Sequence, residues 1–139
     1  MRYLLDTCVI SELVKRKPDK KVIEWIEGCA EDLLFLSVLT IGEIQKGIAR
    51  LSDESRKASL QSWLDSELRK RFAGRILSIT DEVALAWGIL QGEAEKKGTS
   101  IPTIDGLLGA TALCNNLVVA TRNEKDIRST GARIFNPWN

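Results

Sequence analysis

The feature that most constrains the fold is an alternation of short apolar runs with longer segments of helical periodicity. The run at 33–38, Leu-Leu-Phe-Leu-Ser-Val, has the length and continuity of a strand that is covered on both faces. Shorter apolar runs stand at 2–5, 75–79, 117–121 and 132–135. Strands that are joined through helices run parallel, because each helix returns the chain to the same end of the sheet. The sequence therefore predicts an α/β fold, a three-layer α/β/α sandwich around a central, mostly parallel sheet.

Capping residues and apolar stripes mark the helices between these runs. Asp19 and Thr40 stand just before helical segments, and each can cap a helix by accepting a hydrogen bond from a backbone amide of its first turn. A long, charge-rich helix is predicted from residue 52 or 53 to about 72, and a helix rich in small residues at 103–115. The chain contains no internal repeat, linker or low-complexity segment, so we assign residues 1–139 to one domain.

The amino-acid composition excludes several kinds of catalytic site. None of the 139 residues is histidine, which removes Ser-His-Asp and Cys-His nucleophiles and His-Glu-x-x-His metal sites. The cysteines Cys8, Cys29 and Cys114 form no Cys-x-x-Cys pair, which argues against a disulfide framework or a zinc knuckle and favours a cytoplasmic protein. No signal peptide or apolar stretch of membrane-spanning length is recognised. Any acid–base or metal chemistry must then come from carboxylates, lysines or backbone groups.

Three carboxylates stand where the predicted sheet would form a crevice. Asp6 ends the first strand, Glu43 lies just past the second, and Asp105 stands in the helix of small residues, where an unpaired charge is expensive to bury. Ligands of open parallel sheets bind outside the carboxyl ends of the strands. Carboxylates that converge there repel one another unless a cation holds them together, and oxygen ligands select hard cations such as Mg²⁺ or Mn²⁺. Such a site is suited to phosphodiester hydrolysis.

Two of these acids also have a plain structural explanation. Asp6 could serve only as the N-cap of the helix that follows, although Thr7 could do so as readily. Glu43 could form a capping box with Thr40 at the start of its helix, and taken alone it favours that explanation. Asp105 is the acid that is hardest to explain in this way.

Several short motifs are individually weak but specific when their order and spacing are taken together. They are Leu-Asp-Thr at 5–7 with Val-Ile-Ser-Glu at 9–12, Thr-Ile-Gly-Glu-Ile at 40–44, Asp-Gly-Leu-Leu-Gly-Ala-Thr-Ala at 105–112, Thr-Arg-Asn at 121–123 and Phe-Asn-Pro-Trp at 135–138. This set resembles the PIN-domain ribonucleases, in particular the VapC-type toxins of toxin–antitoxin pairs. The last motif is similar to the FitB-like branch of that family. The resemblance covers nearly the whole chain.

The resemblance implies a Mg²⁺- or Mn²⁺-dependent endoribonuclease, with tRNA or mRNA as the RNA substrate. Asp6, Glu43 and Asp105 match the three core acids of the family and are expected to be catalytic and metal-binding. The family also implies a homodimer that is silenced by a small DNA-binding antitoxin and assembles with it on operator DNA. We expect the antitoxin in an apolar groove between the N-terminal helices, about 9–26, and the helical segment 44–68.

The fourth acidic position of the family falls on Asn123, where FitB-like sequences have Asp. Asn123, Asp126 and Thr7 are therefore the candidates for a fourth ligand or for a hydrogen-bonding role behind the ligands. A neutral amide cannot supply the charge that a second Mg²⁺ would need. This predicts one well-bound ion that is held chiefly by Asp6 and Asp105, with Glu43 acting through water.

The net charge of +1 neither identifies nor excludes a nucleic-acid-binding protein, because binding depends on where the charges lie. Arg122 and Lys46 are the basic residues closest to the predicted crevice, and we expect them to contact RNA phosphates.

Two other functions fit part of the pattern. A hydrolase of the haloacid dehalogenase type would use Asp6 as a nucleophile, but that pattern requires a second Asp where this chain has Cys8. A catalytically weak PIN-fold binding module would use the same acids only to hold a partner, and would act with a DNA-binding antitoxin in transcriptional regulation. Metal-dependent cleavage of RNA separates the ribonuclease from the binding module.

Overall fold

A computed structural model describes all 139 residues and contains one five-stranded sheet in the order β3-β2-β1-β4-β5. Every neighbouring pair of strands is parallel, which confirms the predicted α/β architecture. β1 lies in the middle of the sheet because both β2 and β4 pair with it. The strands are β1 Tyr3–Leu5, β2 Leu34–Ser37, β3 Ile76–Leu77, β4 Val118–Ala120 and β5 Ile134–Phe135.

Helices connect the strands and cover both faces of the sheet. They are α1 Thr7–Glu12, α2 Lys20–Gly28, α3 Val38–Ala49, α4 Glu54–Ser62, α5 Arg69–Arg71, α6 Asp81–Lys96, α7 Thr103–Asn115 and α8 Glu124–Arg128. The long helix expected up to residue 72 is present, but its middle part, Trp63–Leu68, has the wider turns of a π-helix. None of these helices combines the length and the apolar character that crossing a membrane requires.

The helix starts correct one prediction and confirm another. Asp19 caps α2, since its Oδ1 accepts from the backbone amide of Lys21 at 2.8 Å. Thr40, by contrast, is wrong as the cap of α3, because α3 begins two residues earlier and Thr40 is buried inside it. Ser37 takes this role, with Oγ accepting from the amide of Leu39 at 3.0 Å. Ser37 ends β2 with extended backbone angles (φ −98°, ψ 150°), the geometry that an N-cap needs.

Side chains that alternate along the strands build two separate cores. In β1, Leu5 joins the larger core under α1, α2 and α3, whereas Leu4 joins the smaller core under α7 and α8. β4 divides in the same way, with Ala120 in the larger core and Val119 in the smaller one. Successive residues of a strand point to opposite faces, so a strand covered on both sides must be apolar throughout. This explains the continuous apolar runs of the sequence.

Two glycines allow α7 to lie close to its neighbours. A Cβ atom at Gly109 would overlap the side chain of Thr130, which follows α8. A Cβ atom at Gly106 would lie 3.1 Å from the indole of Trp87 on α6. The small residues thus bring α7 against α6 and α8, and this packing determines where Asp105, in the first turn of α7, is placed.

Candidate active site

Asp6 follows the central strand β1 and has two structural partners. Its Oδ1 accepts a hydrogen bond from the backbone amide of Thr7 at 2.8 Å, which caps α1. Its Oδ2 accepts from the hydroxyl of Thr121 at 2.7 Å. Asp6 is therefore the N-cap of α1, as the structural explanation predicted. Its second oxygen, however, contacts the residue that follows β4. The side chain is buried, with 9% of the residue exposed.

Thr121 belongs to the Thr-Arg-Asn motif of the sequence, but the sequence analysis assigned it no role in the site. It follows β4, is fully buried, and accepts a hydrogen bond from the backbone amide of Asn123 at 2.9 Å while donating to Asp6. One hydroxyl thus links the acid after β1 to the loop after β4. Its position at the carboxyl end of a predicted strand was the one signal of a role in the site. That signal was weak, because threonine is also common within strands.

Glu43 is half-buried in the second turn of α3 and is held by a neighbouring side chain. The hydroxyl of Thr7 donates to its Oε1 at 2.6 Å. The capping box with Thr40 is wrong, because α3 begins at Val38 and Glu43 is not in its first turn. The contact with Thr7 instead ties Glu43 to the residue that follows Asp6.

Asp105 is half-buried and lies among other acids. Burial raises the pKa of its carboxyl above the usual value, and the negative charges of Asp6, Asp126 and Glu43 raise it further. A hydrogen bond from Nδ2 of Asn123 to Oδ2 at 3.2 Å opposes this rise. The carboxylates therefore act on one another across the site, as expected for acids that converge without a cation.

One cavity of about 390 Å³ collects most of the residues singled out by the sequence. Asp126, half-buried on α8, and Lys46, exposed on α3, lie outside its lining, although the charge of Asp126 reaches Asp105. The lining residues are Asp6, Thr7, Cys8, Glu43, Asp105, Arg122 and Asn123.

The donor atoms of this cavity fit a hard divalent cation. They are carboxylate, hydroxyl and amide oxygens, apart from the thiol of Cys8 and the guanidinium of Arg122. No three Asp, Glu or Cys side chains converge closely enough to enclose an ion by themselves. Mg²⁺ is commonly held by one or two carboxylates and keeps several waters, so acids that share a cavity without closing on one point suit it.

Cys8 and Arg122 give the site two further features. Burial and the charge of Asp6 raise the pKa of the Cys8 thiol, whose Sγ lies 3.9 Å from Oδ2 of Asp6. A neutral thiol therefore stands beside this carboxylate. Arg122 is exposed, and its guanidinium carbon lies 4.6 Å from the ring centroid of Trp138.

The parallel sheet, the flanking helices and the acids at the strand ends define a known class of protein. The family model described as PIN domain matches residues 3–132. The chain belongs to the PIN domain family.

The similar proteins lie within one part of this family. The chain is 36% identical to the plasmid stability protein StbB of Pseudomonas syringae pv. tomato, over 97% of each chain. It is 35% identical to the VapC ribonuclease Y4jK of Sinorhizobium fredii, over 97% of this chain and 96% of the relative. Among solved structures, FitAcB from Neisseria gonorrhoeae matches with a TM-score of 0.93 and 34% identity, covering 99% of each chain. FitAB bound to an IR36 DNA fragment matches with a TM-score of 0.92 and 32% identity, covering 99% of this chain and 96% of the other.

Proposed function

We propose that this protein is a Mg²⁺- or Mn²⁺-dependent endoribonuclease, the toxin of a type II toxin–antitoxin pair. The observation that carries the proposal is the single cavity lined by Asp6, Glu43 and Asp105 at the carboxyl end of the sheet. The similarity to a VapC ribonuclease over nearly the whole chain supports the substrate class.

Asp6 and Asp105 would hold the ion, which would supply Lewis-acid activation of a water molecule and of the scissile phosphate. Glu43, whose Oε1 accepts a hydrogen bond from Thr7, would act on the ion through water, by accepting a hydrogen bond from the attacking water molecule. Asn123 directs its amide nitrogen toward Asp105, so it orients that acid from behind. Arg122, at the rim of the cavity, holds the RNA phosphate. Lys46 is a more distant phosphate contact.

The direct test is RNA cleavage by purified, antitoxin-free protein with Mg²⁺ or Mn²⁺ and, separately, with EDTA. We expect phosphodiester cleavage that requires the ion and is lost in Asp6→Asn. The matched control is Asp32→Asn, an exposed acid outside the cavity, which should cleave like the wild type. Cleavage that continues unchanged in EDTA, or in Asp6→Asn, would contradict the proposal.

A second function has its own support. Asn123 replaces the fourth acid of the family, and the similar FitAB structure is bound to DNA. The chain could then act as a catalytically weak partner of a DNA-binding antitoxin in transcriptional regulation. The same experiment separates the two functions, since this one predicts antitoxin and operator binding without metal-dependent RNA cleavage.

We place the antitoxin in a second cavity, of about 250 Å³, between α1 and the α3–α4 pair. Thr7 and Glu43 line both this cavity and the metal-site cavity, so a basic antitoxin side chain can extend from one to the other and neutralise the acids. The similarity to FitAB bound to a DNA fragment supports assembly with a DNA-binding antitoxin on operator DNA. The apolar lining consists of Val14, Ile44, Ile48, Leu60 and Trp63.

We place the homodimer contact on α6, where Leu85 and Ile89 remain 63% and 69% exposed. This helix has Asp81 in its first turn and Lys96 in its last turn. Two copies packed antiparallel about a two-fold axis would cover the apolar residues and bring opposite charges together. Ile89→Glu should therefore convert the dimer to a monomer in light scattering, with an unchanged circular-dichroism spectrum. A dimer that persists in this variant would place the contact elsewhere.

A further inference from the structure

The cavity lining contains one cation, Arg122, whose charge acts on the buried carboxylate of Glu12 but which forms no close ion pair. No carboxylate oxygen lies within 4.0 Å of its guanidinium nitrogens, and its side chain makes no hydrogen bond to the protein. Asp6, Glu43 and Asp105 nevertheless line the same cavity. An arginine near three acids would ordinarily pair with one of them. The guanidinium carbon of Arg122 instead lies over the indole of Trp138.

The indole of Trp138 is held independently of Arg122. Its backbone amide donates to Oδ1 of Asn136 at 2.9 Å, and Nδ2 of Asn136 donates to Glu124 at 2.8 Å. Pro137 between them is buried, and the Trp138 ring packs against the larger core. The ring is therefore a fixed surface beside Arg122, which lines the cavity.

We propose that Trp138 is a positioning residue, which holds the Arg122 guanidinium at the mouth of the cavity and away from the acids, with its N–H groups directed to an RNA phosphate. This inference rests on the proposed ribonuclease function, because it assigns a role in substrate binding. Nothing in the sequence motifs alone connects the two side chains.

Two physical properties support this role. A guanidinium lying flat on a ring keeps its N–H donors at its edge, where they can bind a phosphate in a bidentate manner. The same contact restricts a long, exposed side chain whose rotamer entropy would otherwise be lost on binding RNA. If Arg122 paired with the acids instead, it would occupy the place of the metal, and it would no longer be free to contact the phosphate.

The test is a double-mutant cycle on RNA binding without metal, which does not depend on turnover. Fluorescence anisotropy of a labelled single-stranded RNA in EDTA gives the dissociation constant of each variant. Arg122→Gln should weaken binding about tenfold, as for the loss of a charged hydrogen bond. It should also lower the slope of log affinity against log salt by about 0.7, the value for one phosphate contact on a single strand.

Trp138→Leu should weaken binding about threefold, the size of an exposed cation–π contact. The double variant Arg122→Gln, Trp138→Leu should bind like Arg122→Gln alone, because Trp138 acts only through Arg122. Trp138→Phe, which keeps an aromatic face, should remain close to the wild type. Arg133→Gln is the matched control for charge, since Arg133 is exposed and stands at the opposite end of β5.

Wild-type affinity in Trp138→Leu, or a further loss in the double variant, would overturn the positioning role. If Trp138→Leu fails to fold, Arg122→Lys performs the test, because it keeps the charge and Trp138 but removes the flat guanidinium. It should bind about threefold more weakly, and wild-type affinity would again overturn the proposal. If the cycle shows no coupling between Arg122 and Trp138 while metal-dependent cleavage is intact, only the positioning role is rejected. If the protein binds RNA but does not cleave it, the proposed ribonuclease function is rejected.

Discussion

Asp6 and Asp105 line the same cavity, but the two regions that carry them hold them in different ways. Asp6 follows the central strand, caps α1 and accepts a 2.7 Å hydrogen bond from a buried hydroxyl. Asp105 lies in a helix brought close by small residues and has one longer contact of 3.2 Å, from Asn123. Burial and the neighbouring acids raise the pKa of the Asp105 carboxyl. Asp6 thus contributes to the stability of the fold, whereas the charge of Asp105 lowers it. Mutation of each acid should separate these two effects.

Asp6→Ala should show the largest combined effect. Loss of a ligand carboxylate should reduce metal-dependent cleavage by about 1000-fold or more. The variant should also lose about 1–2 kcal/mol of unfolding free energy, since the cap of α1 disappears and the hydroxyl of Thr121 is left buried without its acceptor. Cleavage assays and urea unfolding measure the two losses.

The control for this prediction is Asp19→Ala, which removes the cap of α2 away from the cavity. It should lower stability by a similar cap contribution, about 1 kcal/mol, and leave cleavage intact. A stable Asp6→Ala protein would show that Asp6 is not part of the scaffold.

Asp105→Asn should abolish cleavage as well but raise the stability of the metal-free protein at neutral pH. The pKa of Asp105 is higher in the folded state, so the folded protein binds more protons than the unfolded chain at pH values between the two pKa values, and stability falls as pH rises through that window. The melting temperature of the variant should exceed that of the wild type at pH 7. This difference should shrink as pH falls and vanish once Asp105 is protonated in both states. A variant that is less stable at pH 7 would remove the contrast with Asp6.

Thr121→Val should have an intermediate effect, because it removes only the hydroxyl that links Asp6 to the loop after β4. We expect cleavage to fall about 10- to 100-fold, as for other residues that orient a metal ligand. Thr121→Ser, which keeps the hydroxyl, should retain most of the activity. Equal activity in the Val and Ser variants would show that Asp6 needs no such support.

Asp126→Ala should have the smallest effect. Asp126 lies outside the cavity lining but raises the pKa of Asp105 through its charge. Its removal should slightly stabilise the metal-free protein at pH 7 and reduce cleavage far less than Asp6→Ala. A loss of cleavage equal to that of Asp6→Ala would make Asp126 a primary ligand and contradict the single-ion mechanism.

The candidate site was predictable as a set of residues but not as a set of contacts. Asp6, Glu43 and Asp105 follow from strand ends and from the cost of an acid in a small-residue helix, and they line one cavity. Their metal-binding roles, and the assignment of residues 1–139 to one domain, stay predictions. Hydrogen bonds such as Thr121 to Asp6 join residues 115 apart, and no local pattern specifies them.

The sequence by itself determined the parallel α/β sheet and the end of the sheet that carries the acids. The physical reason is that strand and helix periodicities report local burial, and each apolar run must be covered on both faces. Only the tertiary structure decided that Ser37 rather than Thr40 caps α3, and that the guanidinium of Arg122 lies over the ring of Trp138. The first follows from the place where β2 ends, at Ser37. The second follows from the pairing of β4 with β5, which brings Arg122 beside the residues that follow β5.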